Sequence, residues 1–217
     1  MKNLLLVTAL AGATFFPMTA SAEKGDFLVR ARGILVAPTE ETSDVLPALP
    51  GASVEVDNAV VPELDFTYFL ADRFALELIL ATSPHDLEGT GGIEALGTVA
   101  DVWVLPPTLT LQYHFAPEAT FRPYVGVGLN YTLFYGEDAS GSLNDALGDT
   151  DVEVDDSFGI ALQAGADVAI NENWFVNADI KYIQIDTDAT LTTGSMVNEV
   201  EVDLDPVVFG LGLGRRF

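Results

Sequence analysis

The 217-residue chain has no cysteine. Disulfide staples and thiol chemistry are therefore excluded. Basic residues are scarce, with 9 Lys and Arg against 33 Asp and Glu. No basic patch exists to neutralise phosphates, so nucleic acid is excluded as a partner. Only two histidines occur, His85 and His114. Beyond residue 22 no uncharged run reaches 18 residues, and the longest, Val102 to Pro117, holds Pro106-Pro107. A helical membrane protein is excluded on that ground. A transmembrane β-barrel is not, because each strand needs only about 9–11 residues with one apolar side.

The N-terminus carries Lys2, an apolar run from Leu4 to Phe16, Pro17, and the small-residue triplet Ala20-Ser21-Ala22. That layout predicts a secretory signal peptide over residues 1–22, cleaved after Ala22. The run is too short for a membrane anchor. Residues 23–217 then form a single domain of 195 residues, with 8 basic and 33 acidic side chains. Such a charge alone would suggest disorder. Apolar residues make up 49% of the chain, however. Charge and apolar surface must therefore be segregated along the sequence.

Eight alternating segments are read near 26–36, 62–71, 73–82, 102–116, 121–135, 157–170, 173–186 and 204–217. Tight turns at Ala71-Asp72-Arg73, 117–120 and Asn171-Glu172-Asn173 alternate with long connections near 37–61, 83–101, 136–156 and 187–203. The sequence thus predicts an all-β, eight-stranded antiparallel transmembrane β-barrel of outer-membrane type, with short periplasmic turns and long external loops. One face of each segment is apolar, as in Leu64, Phe66, Tyr68 and Leu70, or Leu109, Leu111, Tyr113 and Phe115. Charges and glycines share the opposite face. A soluble sandwich is the alternative reading of the same alternation.

The inward positions change along the axis. Towards the periplasm lie Arg30, Arg32, Asp65, Glu77, Asp167, Asp179, Lys181 and Arg216. Unpaired charges in a narrow lumen are costly, so these eight are expected to form an ion-pair network. Towards the exterior lie Ile34, Val36, Ile79, Val102, Val104, Phe134, Ile183 and Ile185. They predict a hydrophobic lumen suited to small apolar solutes, unless they merely fill space.

Of the 33 acidic residues, 23 fall in windows 38–61, 84–101, 136–156 and 186–205, which contain no Lys or Arg. A solvated rim is the plain reading. Divalent-cation binding, for example around 149–156, is the sharper one, although the EF-hand spacing is absent. His85 and His114 are expected at opposite ends, so no metal centre is predicted. Neither Ser83 nor Ser157 is expected to have a histidine–acid pair at strand spacing. No enzyme and no cofactor are predicted.

From Gly25 to Phe217 the chain resembles the OmpW family of small outer-membrane proteins of Gram-negative bacteria. The resemblance is carried by Asp26-Phe27 with Arg30-Ala31, Pro38-Thr39-Glu40 and Leu64 through Tyr68. It continues through Leu105-Pro106-Pro107-Thr108-Leu109, Phe121-Arg122-Pro123-Tyr124-Val125-Gly126 and Asn130-Tyr131. Asp156-Ser157, Trp174, Val176-Asn177, Asp186-Thr187, Asp205-Pro206 and Arg216-Phe217 complete it. The resemblance implies an eight-stranded barrel in the lipid and lipopolysaccharide of the outer membrane. It also implies passage of small hydrophobic compounds, with lateral release as one route. Phe217 is expected to address the barrel-assembly machinery. The alternative is a plugged interaction barrel whose acidic loops bind cations, surface partners or bacteriocins. Two departures stand out: Arg215 replaces the usual aromatic of the C-terminal signal, and the loops are unusually acidic.

Overall fold

The computed structural model describes residues 23–39, 41–47 and 51–217. The leader expected over 1–22 lies outside them.

Among the described residues eight strands close into an antiparallel barrel. They are β1 (Phe27–Ala37), β2 (Ala59–Ala71), β3 (Phe74–Ala81), β4 (Thr108–His114), β5 (Phe121–Ala139), β6 (Ser157–Ala169), β7 (Trp174–Ile183) and β8 (Val207–Arg216). Each pairs with its neighbour in the chain. The seam is closed by β1 against β8, from Leu28↔Arg216 to Ala37↔Val207. Closure leaves no edge of unpaired N–H and C=O groups, which lipid could not satisfy.

Alternation decides which side chains meet lipid. Leu64, Tyr68, Leu109, Leu129, Leu211 and their neighbours point outward and are exposed, while Arg30, Asp65, Thr110 and Asn177 point inward and are fully buried. Aromatic side chains ring both ends of this apolar band. Phe27, Phe74, Phe115, Phe121, Trp174 and Phe217 mark the periplasmic end. At the other end Trp103 stacks on Tyr135, whose hydroxyl meets Thr82 Oγ1 at 2.6 Å. Arg215 lies 5.6 Å from the ring centroid of Trp174 and 4.7 Å from that of Phe217, so its guanidinium occupies a place in the periplasmic aromatic ring.

Two inward glycines make room for aromatic rings. A Cβ on Gly165 would stand 2.5 Å from the Tyr124 hydroxyl, and one on Gly214 would collide with the Phe175 ring. The rings lie across bare backbone and fill the base of the lumen.

The expected external loops are mostly strand. Ala52–Val56, Ser83–Gly91, Thr98–Leu105 and the top of β5 extend the barrel sheet outward. Thr150–Val154, Asp186–Thr193, Met196–Asp203 and Glu41–Thr42 form a second, four-stranded sheet. A short helix, α1 (Gly141–Leu147), is capped by Ser140, whose Oγ accepts from Leu143 N at 3.2 Å. The cause is alternation within the acidic stretches. Val200, Val202 and Leu204 are buried, while Glu199, Glu201 and Asp203, which alternate with them, face water. The segment expected as one strand over 102–116 is two strands, because Pro106 and Pro107 have no N–H to give the ladder.

Candidate functional site

The lumen has two zones. Its periplasmic half is an ion-pair floor built from β1, β2, β3, β6 and β7. Arg30 Nη1 lies 2.8 Å from Glu77 Oε1 and donates to Thr67 Oγ1 at 2.6 Å. Its Nη2 and Nε hold both oxygens of Asp167 at 3.0 and 3.3 Å. This fork geometry is one that lysine could not reproduce. Arg32 Nε is 2.9 Å from Glu63 Oε1, Nη2 is 2.7 Å from Asp65 Oδ1, and Nη1 pairs with Asp179. Lys181 Nζ bridges Glu63 at 2.7 Å and Asp179 at 3.3 Å. Gln112 and Gln163 donate to Glu77 Oε2 at 2.7 and 3.0 Å. Tyr124 and Phe175 cover the Arg30 guanidinium with centroids 5.4 and 5.5 Å away.

Three buried cations therefore face five carboxylates. Each charge has left water, so the arrangement holds only as a set. Seven of the eight residues expected in the network are in it. Arg216 is at the periplasmic mouth, where Nη1 lies 3.6 Å from Asp26 Oδ2. Glu63 is a member that sequence reasoning left out. It shares the inward register of Asp65, two residues on, and that spacing was the available signal. His114 packs between Phe69 and Tyr124, with centroids 4.8 and 5.1 Å away. Its Nε2 is 3.1 Å from Gln112 Oε1.

Above the floor lies an apolar cavity. It encloses about 1190 Å³ of atom-free space, its opening to solvent included. Ile34, Val36, Ile79, Val102, Val104, Phe134, Ile183 and Ile185, the eight residues expected there, all line it. The extension strands raise its walls with Val54, Val56, Val99, Val152, Val200, Val202 and Leu204. Sequence reasoning missed all of these but Leu204 because it treated their segments as loops; Leu204 opens the eighth segment and was not singled out. Glu63 and Thr108 mark the boundary with the floor.

Polar residues interrupt the upper wall, Ser83, His85 and Thr187 among them. Ser83 Oγ lies 2.9 Å from His85 Nε2, and His85 Nδ1 lies 2.9 Å from the Asp57 carbonyl oxygen. Ser83 has a histidine partner, but among the described residues no acid completes a histidine–acid pair. Residues i and i+2 of a strand share a face, so the Ser83-Pro84-His85 spacing already allowed the histidine contact. The third member is a backbone carbonyl, not an acid. Burial holds the His85 imidazole below its usual pKa, opposed by the Asp57 carbonyl and by Asp86. Among the described residues no group of three or more His, Cys, Asp or Glu is placed to hold a metal ion.

The chain matches the model of the OmpW family over residues 23–217. It is 40% identical to outer membrane protein W of Escherichia coli K12 over 215 residues, covering 98% of this chain and 99% of that one. It is 30% identical over 171 residues to the dibenzothiophene metabolism operon protein PahQ of Pseudomonas aeruginosa, covering 78% of this chain and 77% of that one. The crystal structure of the outer membrane protein OprG from Pseudomonas aeruginosa superposes with a TM-score of 0.85 at 32% identity, covering 91% of this chain and 98% of that one.

Proposed function

The chain belongs to the OmpW family of outer-membrane β-barrels, and on that premise we propose that it is a passive conduit for small hydrophobic molecules across the outer membrane. The observation that carries this reading is the division of the lumen into a buried ion-pair floor and an apolar cavity above it. An apolar solute gains roughly 0.8 kcal/mol per methylene on leaving water for such a cavity. An ion would lose hydration there and find no compensating partner. The relative PahQ, described as a dibenzothiophene metabolism operon protein, ties a similar chain to an apolar aromatic compound.

The floor obstructs an axial path, so release is sideways. Pairing of β3 with β4 ends at Ile79↔Thr108, and pairing along the same wall resumes at Ser83↔Val104. Pro106-Pro107 lies in the interval, level with the outer aromatic residues. The interrupted ladder is the weakest stretch of that wall and the natural exit to the bilayer.

The tightly packed floor also favours a second reading. In it the barrel is a plugged scaffold whose acidic outer wall meets cations, surface partners or bacteriocins. One assay separates the two. The barrel is placed in vesicles with lipopolysaccharide in the outer leaflet, and uptake of an alkane or aromatic probe is followed. Ile79→Glu and Ile183→Glu each put a charge into the cavity and are expected to cut uptake at least about tenfold, the loss that follows from burying an unpaired carboxylate. Folding is checked by the heat-dependent gel shift. Unchanged uptake in both folded variants would leave the plugged scaffold standing. Contact with the assembly machinery through Phe217 belongs to either reading.

A further inference from the structure

Ser83 and His85 face the cavity from one strand, opposite Val104 and Val102 on the next. Their hydrogens can be assigned from the partners alone. The Asp57 carbonyl can only accept, so His85 Nδ1 must carry the hydrogen. A neutral imidazole has one N–H, so Nε2 is bare and accepts. The Ser83 hydroxyl therefore donates to Nε2. Its hydrogen is committed, and its oxygen retains lone pairs that accept nothing from the other described residues. The pair is buried, at 5% and 6% exposure, so bulk water competes weakly for that oxygen.

We propose that Ser83 Oγ is an acceptor site for the hydroxyl group of an amphiphile whose chain lies in the cavity. The ligand class is an alkanol or a protonated alkanoic acid. An alkane has nothing to donate. A ketone or ester only accepts, and could use Ser83 only by breaking the bond to His85. Selectivity thus follows from a fixed hydrogen-bond direction, set through His85 by the Asp57 carbonyl. The inference rests on the conduit reading, since it needs a chain in the cavity.

The test is competition against a photoreactive diazirine alkane, with the barrel in lipid vesicles and crosslinks mapped by mass spectrometry. Octanol and octanone compete for the labelled cavity residues, and each is corrected for its partition into lipid. The readout is their ratio within one variant, so any general change in occupancy cancels. In the wild type octanol is expected to compete about three- to tenfold better, the factor one neutral hydrogen bond supplies. Ser83→Ala removes the acceptor and brings the ratio to about one. His85→Phe leaves the hydroxyl but frees its hydrogen, so octanone gains and the ratio again approaches one. Equal competition in the wild type, with the cavity labelled, overturns the Ser83 site and leaves the conduit standing. A preference for octanol that survives Ser83→Ala also overturns the site. Failure of the photoreactive alkane to label any cavity residue overturns the conduit reading and the site with it.

Discussion

Replacing Arg32 by methionine removes the centre of the floor while keeping most of the side chain's volume. The guanidinium touches Glu63, Asp65 and Asp179, and Asp65 has its ion pair with Arg32. Without it, Glu63 and Asp179 keep Lys181, but Asp65 is left buried beside other carboxylates. Breaking a buried pair from one side costs about 3–5 kcal/mol, mostly the penalty of stranding the remaining charge. With a urea slope of about 2 kcal/mol/M, the unfolding midpoint should fall by about 2 M. Unfolding from lipid vesicles can be followed by the fluorescence of the two tryptophans, Trp103 and Trp174, which stand at opposite ends of the apolar band. A second substitution, Asp65→Leu in the Arg32→Met background, removes the stranded charge and should recover a large part of the loss. Arg32→Lys should fall between, since one ammonium cannot reach three carboxylates. A midpoint shift below about 0.5 M for Arg32→Met would mean that the floor is hydrated, and the argument from a dry lumen would fail.

Three further outcomes follow from the same structure. His85 resists protonation in the folded barrel, so between its lowered pKa and the ordinary value of about 6.5 the unfolded chain binds more protons. Stability should therefore fall as pH drops through about 6.5, and a slope equally steep in His85→Gln would show that His85 is not its source. Gly165→Val puts a side chain where Tyr124 lies and should cost about 1–3 kcal/mol by urea unfolding, whereas a neutral result would mean that the ring is free to move away. Phe217→Ala should lower the yield of barrel in the outer membrane while refolding from urea into detergent is retained, and equal loss in both would make Phe217 a packing residue only.

The eight membrane strands were legible because lipid imposes one simple rule on each. An outward face reading Leu109, Leu111, Tyr113, Phe115 has no other common use beside an inward face reading Thr108, Thr110, Gln112, His114. Most of the charged floor was legible too, since alternation puts Arg30 and Arg32 on the same side as Glu77 and Asp179. The external extension was not. Apart from the top of β5, its strands are short, its outward residues are acidic, and they are separated from the barrel strands by breaks such as Pro106-Pro107. Polar character suggested loops, while Val54, Val56, Val152 and Val200 were the inward half of a period-two pattern. The Ser83–His85 pair was lost with that extension. Once residues 83–91 are strand, two residues of spacing become one shared face.

The floor also has an electrical meaning. Ions follow water, and in this barrel the charges that would draw water inward are already bound to one another across the lumen. The apolar space above them offers ions no substitute for hydration. A bilayer holding this barrel should pass almost no current under an applied voltage. On the proposed conduit reading, many copies of the barrel would add a path for oily compounds without adding one for salt.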